Sequence, residues 1–510
     1  MKKPSKFQEA IFSFIETGTG NAIVSAVAGS GKTTTLVDGA NKISRTKRCL
    51  FLAFNKKIQM ELAARLPKHV MTQTINSLGH QAWMNANPKC KLDTAKTLNI
   101  LKALRGNYDA TQFDRIMSNV RKMVSVAKAN GLAPLGMTGV IADTDAEWNR
   151  LIDHYDILFN GVDEGVNVQL DRETAIQIAR VALKKSVEIK DVIDFDDQIF
   201  MTVIYNIPVP KYDWVFVDEA QDVSEIQRAL IAKAMAKYTR SVFVGDEKQA
   251  IYGFRGADSE SLNNIGKQFN AINLPLSISY RCAKAIVAEA RQYVGHIEAS
   301  ENAPEGLVEE LGDYKTDMFK MNDMVVCRNT APLVKLAYKL ISEKVPAKVE
   351  GKDLASGLVN LINKMNAKTI LQLNEKLHHW KDRETARLKQ ADPEADISGV
   401  EDKFDVLQVF MESSAADTVP VLISAIESLF GDEVKDCVRL STVHRAKGLE
   451  AERVFILDKW LMPSRYAVKP WMVEQENNLI YVALTRAKTY LGYVETPRPK
   501  TSKKFSDKEE

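Results

Sequence analysis

Ala22-Ile23-Val24-Ser25 runs straight into Ala26-Val27-Ala28-Gly29-Ser30-Gly31-Lys32-Thr33-Thr34, and Thr35-Leu36-Val37-Asp38 follows. The first four residues read as a buried strand and the last four suit a helix. Strand, small-residue turn and helix together form the setting of a phosphate-binding loop. Small side chains let backbone N–H groups converge on phosphate oxygens, and the helix N-terminus adds partial positive charge. Lys32 is placed to reach the β- and γ-phosphates, and the Thr33 hydroxyl to ligate Mg²⁺. The first position of the motif is Ala26 rather than Gly. Such a loop implies a bound nucleotide and leaves the use of its energy open.

The chain has 510 residues, too many for one compact core, so several domains are expected. Its formal charge is only +3, so a polyanionic partner has to use a local groove. The five cysteines are scattered without a Cys-x-x-Cys pair, which argues against zinc sites and disulfide frameworks. The basic N-terminus leads into a segment containing Gln8 and Glu9, unlike a signal peptide. No run is long and apolar enough for a membrane span, and a cytoplasmic or nucleoid-associated location is expected.

Outward from the phosphate loop, β-rich runs end in chemically loaded turns. Cys49–Phe54 ends in Asn55-Lys56-Lys57, Trp214–Val217 in Asp218-Glu219-Ala220-Gln221-Asp222, and Ser241–Val244 in Gly245-Asp246. Continuous apolar strands suit a parallel sheet covered on both faces, with ligands beyond the carboxyl ends. Further runs at 324–327, 453–457 and 489–494 predict a second α/β domain. Lys32 and Asp218 are 186 positions apart, which leaves room for an inserted domain of on the order of 100 residues. Residues 81–190 read as largely helical with breaks at 131–136 and 160–165, and 350–435 as a charged, helical second insertion. The Pro- and Lys-rich stretch 497–510 is expected to be disordered.

Each turn offers a different group. Asp218 is expected to hold Mg²⁺, and Glu219 to orient and deprotonate the attacking water. Gln249 can touch both the γ-phosphate and that water. Tyr252, Phe254 and Arg255, bounded by glycines, suit stacking on unpaired bases. Phosphoryl transfer needs positive charge on the γ-phosphoryl oxygens. Arg281 in Ser279-Tyr280-Arg281-Cys282 and Arg486 in Leu484-Thr485-Arg486-Ala487-Lys488 have suitable contexts. Both fall in the second α/β domain, so a nucleotide between domains would couple hydrolysis to closure. Within Ser441–Glu450, Thr442 and His444 can face a polymer backbone and Glu450 a nucleotide hydroxyl.

The phosphate loop, DEAQD, GDEKQAIYGFRGA, SYRC, TVHRAKGLE and NLIYVALTRAK occur in the order found in superfamily 1 DNA helicases of the UvrD/Rep/PcrA type. The wording of the last two motifs also resembles F-box DNA helicases and phage-encoded relatives. The resemblance covers roughly half the chain and implies an α/β fold of two RecA-like motor domains with parallel sheets, each carrying an insertion. Residues 1–80 with 191–272 would form the first motor domain, and 273–349 with 436–496 the second. Gln8 would read the adenine and Tyr280 stack on it. The loop Ala26 to Thr34, Asp218, Glu219, Gln249, Arg281, Glu450 and Arg486 match nucleotide positions. Asn55, Thr74, Tyr252, Phe254, Arg255, Arg328 and His444 match DNA-contacting motifs.

The resemblance implies ATP and Mg²⁺ as cofactors, translocation 3′ to 5′ on single-stranded DNA, and unwinding at single-strand/duplex junctions. The protein is expected to act as a monomer, with replication or recombination proteins as partners. Phe254 stands where many relatives have Trp, and Asn76 where a His is common. The short segment after the last motif raises an alternative, a translocase that strips proteins from DNA and unwinds weakly. A nucleotide-gated DNA-binding scaffold is a third reading, and RNA an alternative substrate.

Overall fold

A computed structural model describes residues 3–137, 139–155, 157, 168–251, 260–391, 396–431 and 436–496. The chain divides into two compact units, Met1–Ile278 with Arg387–Pro393, and Ser279–Ala386 with Glu394–Glu510.

The first unit is built on six strands: β1 (Asn21–Ala26), β2 (Cys49–Ala53), β3 (Val70–Thr74), β4 (Tyr212–Val217), β5 (Met235–Gly245) and β6 (Ala271–Leu276). Their order is β6-β1-β5-β4-β2-β3, and every pairing is parallel. The apolar runs explain the central position of β2 and β4: Leu50, Phe51, Leu52, Val215, Phe216 and Val217 have no exposed surface. Phe51 and Trp214 each stack on Phe216, at 5.8 and 5.7 Å between ring centroids. Because all six strands are parallel, the turns after β1, β2, β3, β4 and β5 emerge along one edge.

Strand β6 corrects the expected boundary after residue 272. Ala271 to Leu276 pair with Asn21 to Ala26, so the first unit keeps the chain as far as Ile278. Most of β6 is exposed or half-buried, as suits an edge strand, so it does not stand out as a continuous apolar run. Leu276 is also tied to the phosphate loop, its carbonyl accepting from Val27 N at 3.1 Å.

The insertion is mainly helical, as its pattern predicted. The helix Ala110–Asn130 is capped by Asp109 and stops at Gly131, whose φ of 74° suits a residue without Cβ. Its buried residues Phe113, Ile116, Val120, Met123, Val124 and Ala127 lie on one stripe. Lys96, Lys128, Asp194 and Asp197 form a buried ion cluster between this insertion and the helix Asp197–Ile204. The expected break at 160–165 lies outside the described residues.

The main sheet of the second unit has seven strands among the described residues: β7 (Leu307–Asp313), β8 (Met324–Cys327), β9 (Ala347–Glu350), β10 (Phe430–Gly431), β11 (Val438–Thr442), β12 (Ala451–Leu457) and β13 (Ala487–Glu495). Their order is β7-β13-β12-β8-β11-β9-β10, again parallel throughout. Helices of the second insertion lie between β9 and β10 in sequence, so the sheet resumes at Phe430, before the expected end at 435. Within the helix Ser398–Ser413, Asp402 accepts from the N–H groups of Thr330 and Ala331 at 2.7 and 3.1 Å. It caps the helix Thr330–Ser342, whose own N-cap residue makes no side-chain bond. The five cysteines are free and buried. No helix among the described residues is long and apolar enough to cross a membrane.

Candidate nucleotide site and DNA-facing residues

After β1 the chain turns through Gly29 and Gly31, with φ of 71° and 77°, into the helix Lys32–Ala40. Only glycine holds these left-handed values without strain. Ser30 is wholly buried, and its Oγ has no hydrogen-bond partner among the described residues. Gln8 sits beside this helix, donating to Thr35 Oγ1 at 3.1 Å while its own Oε1 accepts from Ser5 N.

Strand β4 delivers Asp218 and Glu219 to the same place. Thr33 Oγ1 donates to Asp218 Oδ2 at 2.8 Å, and Lys32 Nζ lies 3.0 Å from Glu219 Oε2. Glu219 has φ of 51°, an uncommon value for a residue with a side chain, and such strain concentrates at functional sites. Strand β5 supplies the third wall. Gln221 Nε2 donates to Glu219 Oε2 at 2.6 Å, and Gln221 Oε1 accepts from Asp246 N at 3.0 Å. A Cβ on Gly245 would come within 2.6 Å of that Oε1, which accounts for glycine at the end of β5. Gln249 Nε2 donates to Asp246 Oδ2 at 2.7 Å.

The electrostatics call for a cation. Burial, with the Glu219 charge second, pushes the Asp218 carboxyl up to about 6, and burial also raises Asp246. For Lys32, burial acts downward, but Glu219, Asp246 and Asp218 outweigh it and hold the ammonium above its ordinary value. Three carboxylates thus surround one ammonium. A hydroxyl and a buried carboxylate 2.8 Å apart are hard oxygen donors that suit Mg²⁺. The unpartnered Ser30 hydroxyl and the left-handed glycine turn suit a phosphate.

Asn55 and Thr74 close neighbouring strands, with Ala53 opposite Thr74 in register. Both are engaged as helix caps, Asn55 on Ile58 N and Thr74 on Ser77 N. Phe54, directly before Asn55, exposes 46% of its surface. Asn76 donates to Gln198 Oε1 at 3.2 Å, inside the protein. Tyr252, Phe254 and Arg255 lie outside the described residues.

In the second unit, Arg281 Nε is 2.7 Å from Glu450 Oε2, and Lys488 Nζ is 3.1 Å from Glu450 Oε1. Burial raises the Glu450 carboxyl, but Arg281 and Lys488 outweigh it and hold it below its ordinary value. Arg281 also donates to Thr485 O at 3.2 Å, beside half-exposed Tyr280. Arg486 is only 1% exposed and donates to the carbonyls of Val482 and Leu449. It therefore closes the C-terminus of the helix Pro470–Leu484 as well as being a candidate for phosphate. Arg328, expected at DNA, makes a two-pronged contact with buried Glu476 at 2.9 to 3.2 Å. His444 lies in the short helix Val443–Ala446.

The sequence reading gave Gln221 no role, although it sits two residues after Glu219 in a motif already singled out. Glu476 likewise has no role in that reading, because its partner Arg328 is 148 residues away.

Residues 7–270 match the model of the UvrD/REP helicase N-terminal domain, and 438–494 that of the UvrD-like helicase C-terminal domain. The ATP-dependent DNA helicase PcrA of Staphylococcus aureus (strain COL) is 25% identical over 318 residues, 58% of this chain and 40% of that protein. PcrA of Staphylococcus epidermidis gives the same identity and coverage. The match thus spans about two fifths of the length of these curated relatives.

Proposed function

The chain belongs to the UvrD/REP helicase family, and on that premise we propose that it is an ATP-driven motor that moves 3′ to 5′ along single-stranded DNA and unwinds duplex. One observation carries the reading. Lys32 and Thr33 of the phosphate loop each contact one of two adjacent acids at the end of β4, at 3.0 and 2.8 Å.

Nucleotide phosphates compete with Glu219 for Lys32. When Lys32 turns to the phosphates, the Glu219 carboxylate loses its ammonium partner and becomes a proton acceptor for water. Gln221 keeps that carboxylate aimed, because its amide is anchored at the other end on Asp246 N. Thr33 and Asp218 would hold Mg²⁺, which supplies positive charge to the phosphate oxygens. Gln249, bonded to Asp246, sits one side chain from Gln221 and can register the γ-phosphate. The family resemblance assigns Arg281 and Arg486 to the γ-phosphoryl oxygens, Tyr280 to the base and Glu450 to a nucleotide hydroxyl. The positive charge that Arg281 and Arg486 bring around Thr485 supports that assignment. Asn55, Thr74, Arg328 and His444, with Tyr252, Phe254 and Arg255, are assigned to the tracked strand on the same grounds.

A poised carboxylate argues for turnover rather than a nucleotide-gated scaffold, since a switch needs no water-activating acid. The test is ATPase activity with and without single-stranded DNA, beside unwinding of duplexes bearing a 3′ tail, a 5′ tail or none. Stimulated turnover and unwinding from the 3′ tail are expected. Turnover indifferent to single-stranded DNA, or unwinding from the 5′ tail, would overturn the reading.

A further inference from the structure

The nucleotide and candidate DNA residues of the first unit occupy the carboxyl ends of its strands. The opposite edge has a different character. Four stretches lead into neighbouring strands there: 41–48 into β2, 66–69 into β3, 205–211 into β4, and 233–240 into and along the start of β5. Together they contain nine Lys and Arg and no Asp or Glu. The whole chain is nearly balanced, at 69 basic and 66 acidic residues, so this segregation is local.

Several of the nine are engaged within the protein: Lys211 donates to the carbonyls of Lys233 and Met235, Lys233 to Asn206 Oδ1, and Arg48 lies over the Tyr212 ring. Lys42 pairs with Glu16, and Arg240 stacks on Trp214 and bonds Phe14 and Ile15 carbonyls. Arg45, Lys47, Arg48, Lys68, Lys211 and Lys237 are exposed. None of these six forms an ion pair with a carboxylate among the described residues. Asp213, the nearest acid in sequence, accepts from Arg48 N at 2.7 Å. A cavity of about 480 Å³ opens in this edge between Asn206, Pro208, Val209, Lys211, Ala232 and Lys233. Burial, and Lys211 beside it, hold the Lys233 ammonium below its ordinary value, as befits two cations without an anion between them.

Strands β5, β4, β2 and β3 are consecutive in the sheet, so the cations span roughly 14 Å across it. They lie roughly 17–20 Å, one strand length, from the carboxyl ends. Apolar anchoring is scarce: Tyr238, 83% exposed with Lys237 over its ring, is the large apolar side chain within these stretches that stands clear of the surface. Outside that cavity a peptide would have little to seat its side chains in. A polyanion of regular, high charge density needs only the cations.

We propose that the amino-terminal edge of the first sheet docks the phosphate backbone of duplex DNA, as a second contact separate from the tracked single strand. The inference rests on the DNA-motor reading above, and its test keeps the two apart. The full chain and a Lys47→Glu/Lys68→Glu/Lys237→Glu variant are titrated with a short blunt duplex across a salt series. Single-strand-stimulated ATPase is measured on both, and a Lys→Arg triple variant controls for folding. Duplex affinity is expected to fall about tenfold or more, with the salt slope flattened by about 2 to 3. ATPase at saturating single strand should stay within about twofold, and the Lys→Arg variant should bind as the parent does. Unchanged duplex affinity, or a parent that does not bind blunt duplex, would overturn the proposal. So would a loss confined to binding of polyglutamate, which would mark the edge as a peptide site. Failure of the parent's ATPase to respond to single strand would instead count against the motor reading.

Discussion

Lys32 and Glu219 neutralise each other across the phosphate loop, Nζ to Oε2 at 3.0 Å, and Gln221 shares the same carboxylate oxygen. In the proposed function, nucleotide binding and base activation are one exchange of partners. Lys32→Ala should abolish ATP binding, whereas Glu219→Gln should bind ATP and lose turnover by roughly 10²–10⁴-fold. Equilibrium binding of a fluorescent ATP analogue beside steady-state hydrolysis separates the two. Glu219→Gln with near-parental turnover would remove Glu219 from the chemistry.

Gln221 bridges two strands, from Glu219 on the β4 side to Asp246 at the end of β5. Gln221→Ala should lower kcat about ten- to a hundredfold and leave KM for ATP nearly unchanged, because it aims a base and holds no substrate. A rise in KM alone would mean that Gln221 binds nucleotide.

Asp218 gives a pH signature. Its folded pKa of about 6 lies above the ordinary value of 3.8. A raised pKa contributes stability that is full below about pH 4 and is lost as pH rises through about 6. In the absence of nucleotide and Mg²⁺, Asp218→Asn should therefore melt above the parent at about pH 7.5, with the gain shrinking toward about pH 5. A gain in Tm that is independent of pH would show that the carboxylate charge is not its source.

Arg328 and Glu476 form a well-shielded pair, with 17% and 8% of their side chains exposed. Glu476 also accepts from Ser464 N at 2.9 Å. Glu476→Ala should cost about 3 kcal/mol, since it strands a guanidinium. Arg328→Met combined with Glu476→Leu should recover much of that loss. A double-mutant cycle by urea unfolding measures the coupling. If Arg328→Met alone leaves stability unchanged but weakens single-strand binding, its role is at DNA and Glu476 is incidental.

What could be read in the sequence was what lies close together in it. The β1 strand and its loop, and the acids directly after β4, are each written in a dozen consecutive residues. The stop of the helix Ala110–Asn130 at Gly131 follows from one glycine. Gln221 was opaque because its partners belong to different strands, and Arg328 because Glu476 is 148 residues away. The buried Lys96, Lys128, Asp194 and Asp197 are spread over a hundred positions and meet only in the folded chain. Strand β6 escaped because an edge strand need not be continuously apolar. The basic amino edge of the first sheet was invisible for the same reason: its cations come from four separate stretches.

The bond from Val27 N to Leu276 O has a mechanical meaning. Val27 is the first residue of the phosphate loop after β1, and Leu276 lies two residues before Ile278, where the first unit ends. Arg281, the proposed partner of the γ-phosphate, comes only three residues further on. The first peptide of the proposed phosphate loop is thus pinned to the stretch that leads toward Ile278. The grip is wholly backbone: this bond extends the pairing of β1 with β6, and no side chain stands between to give way.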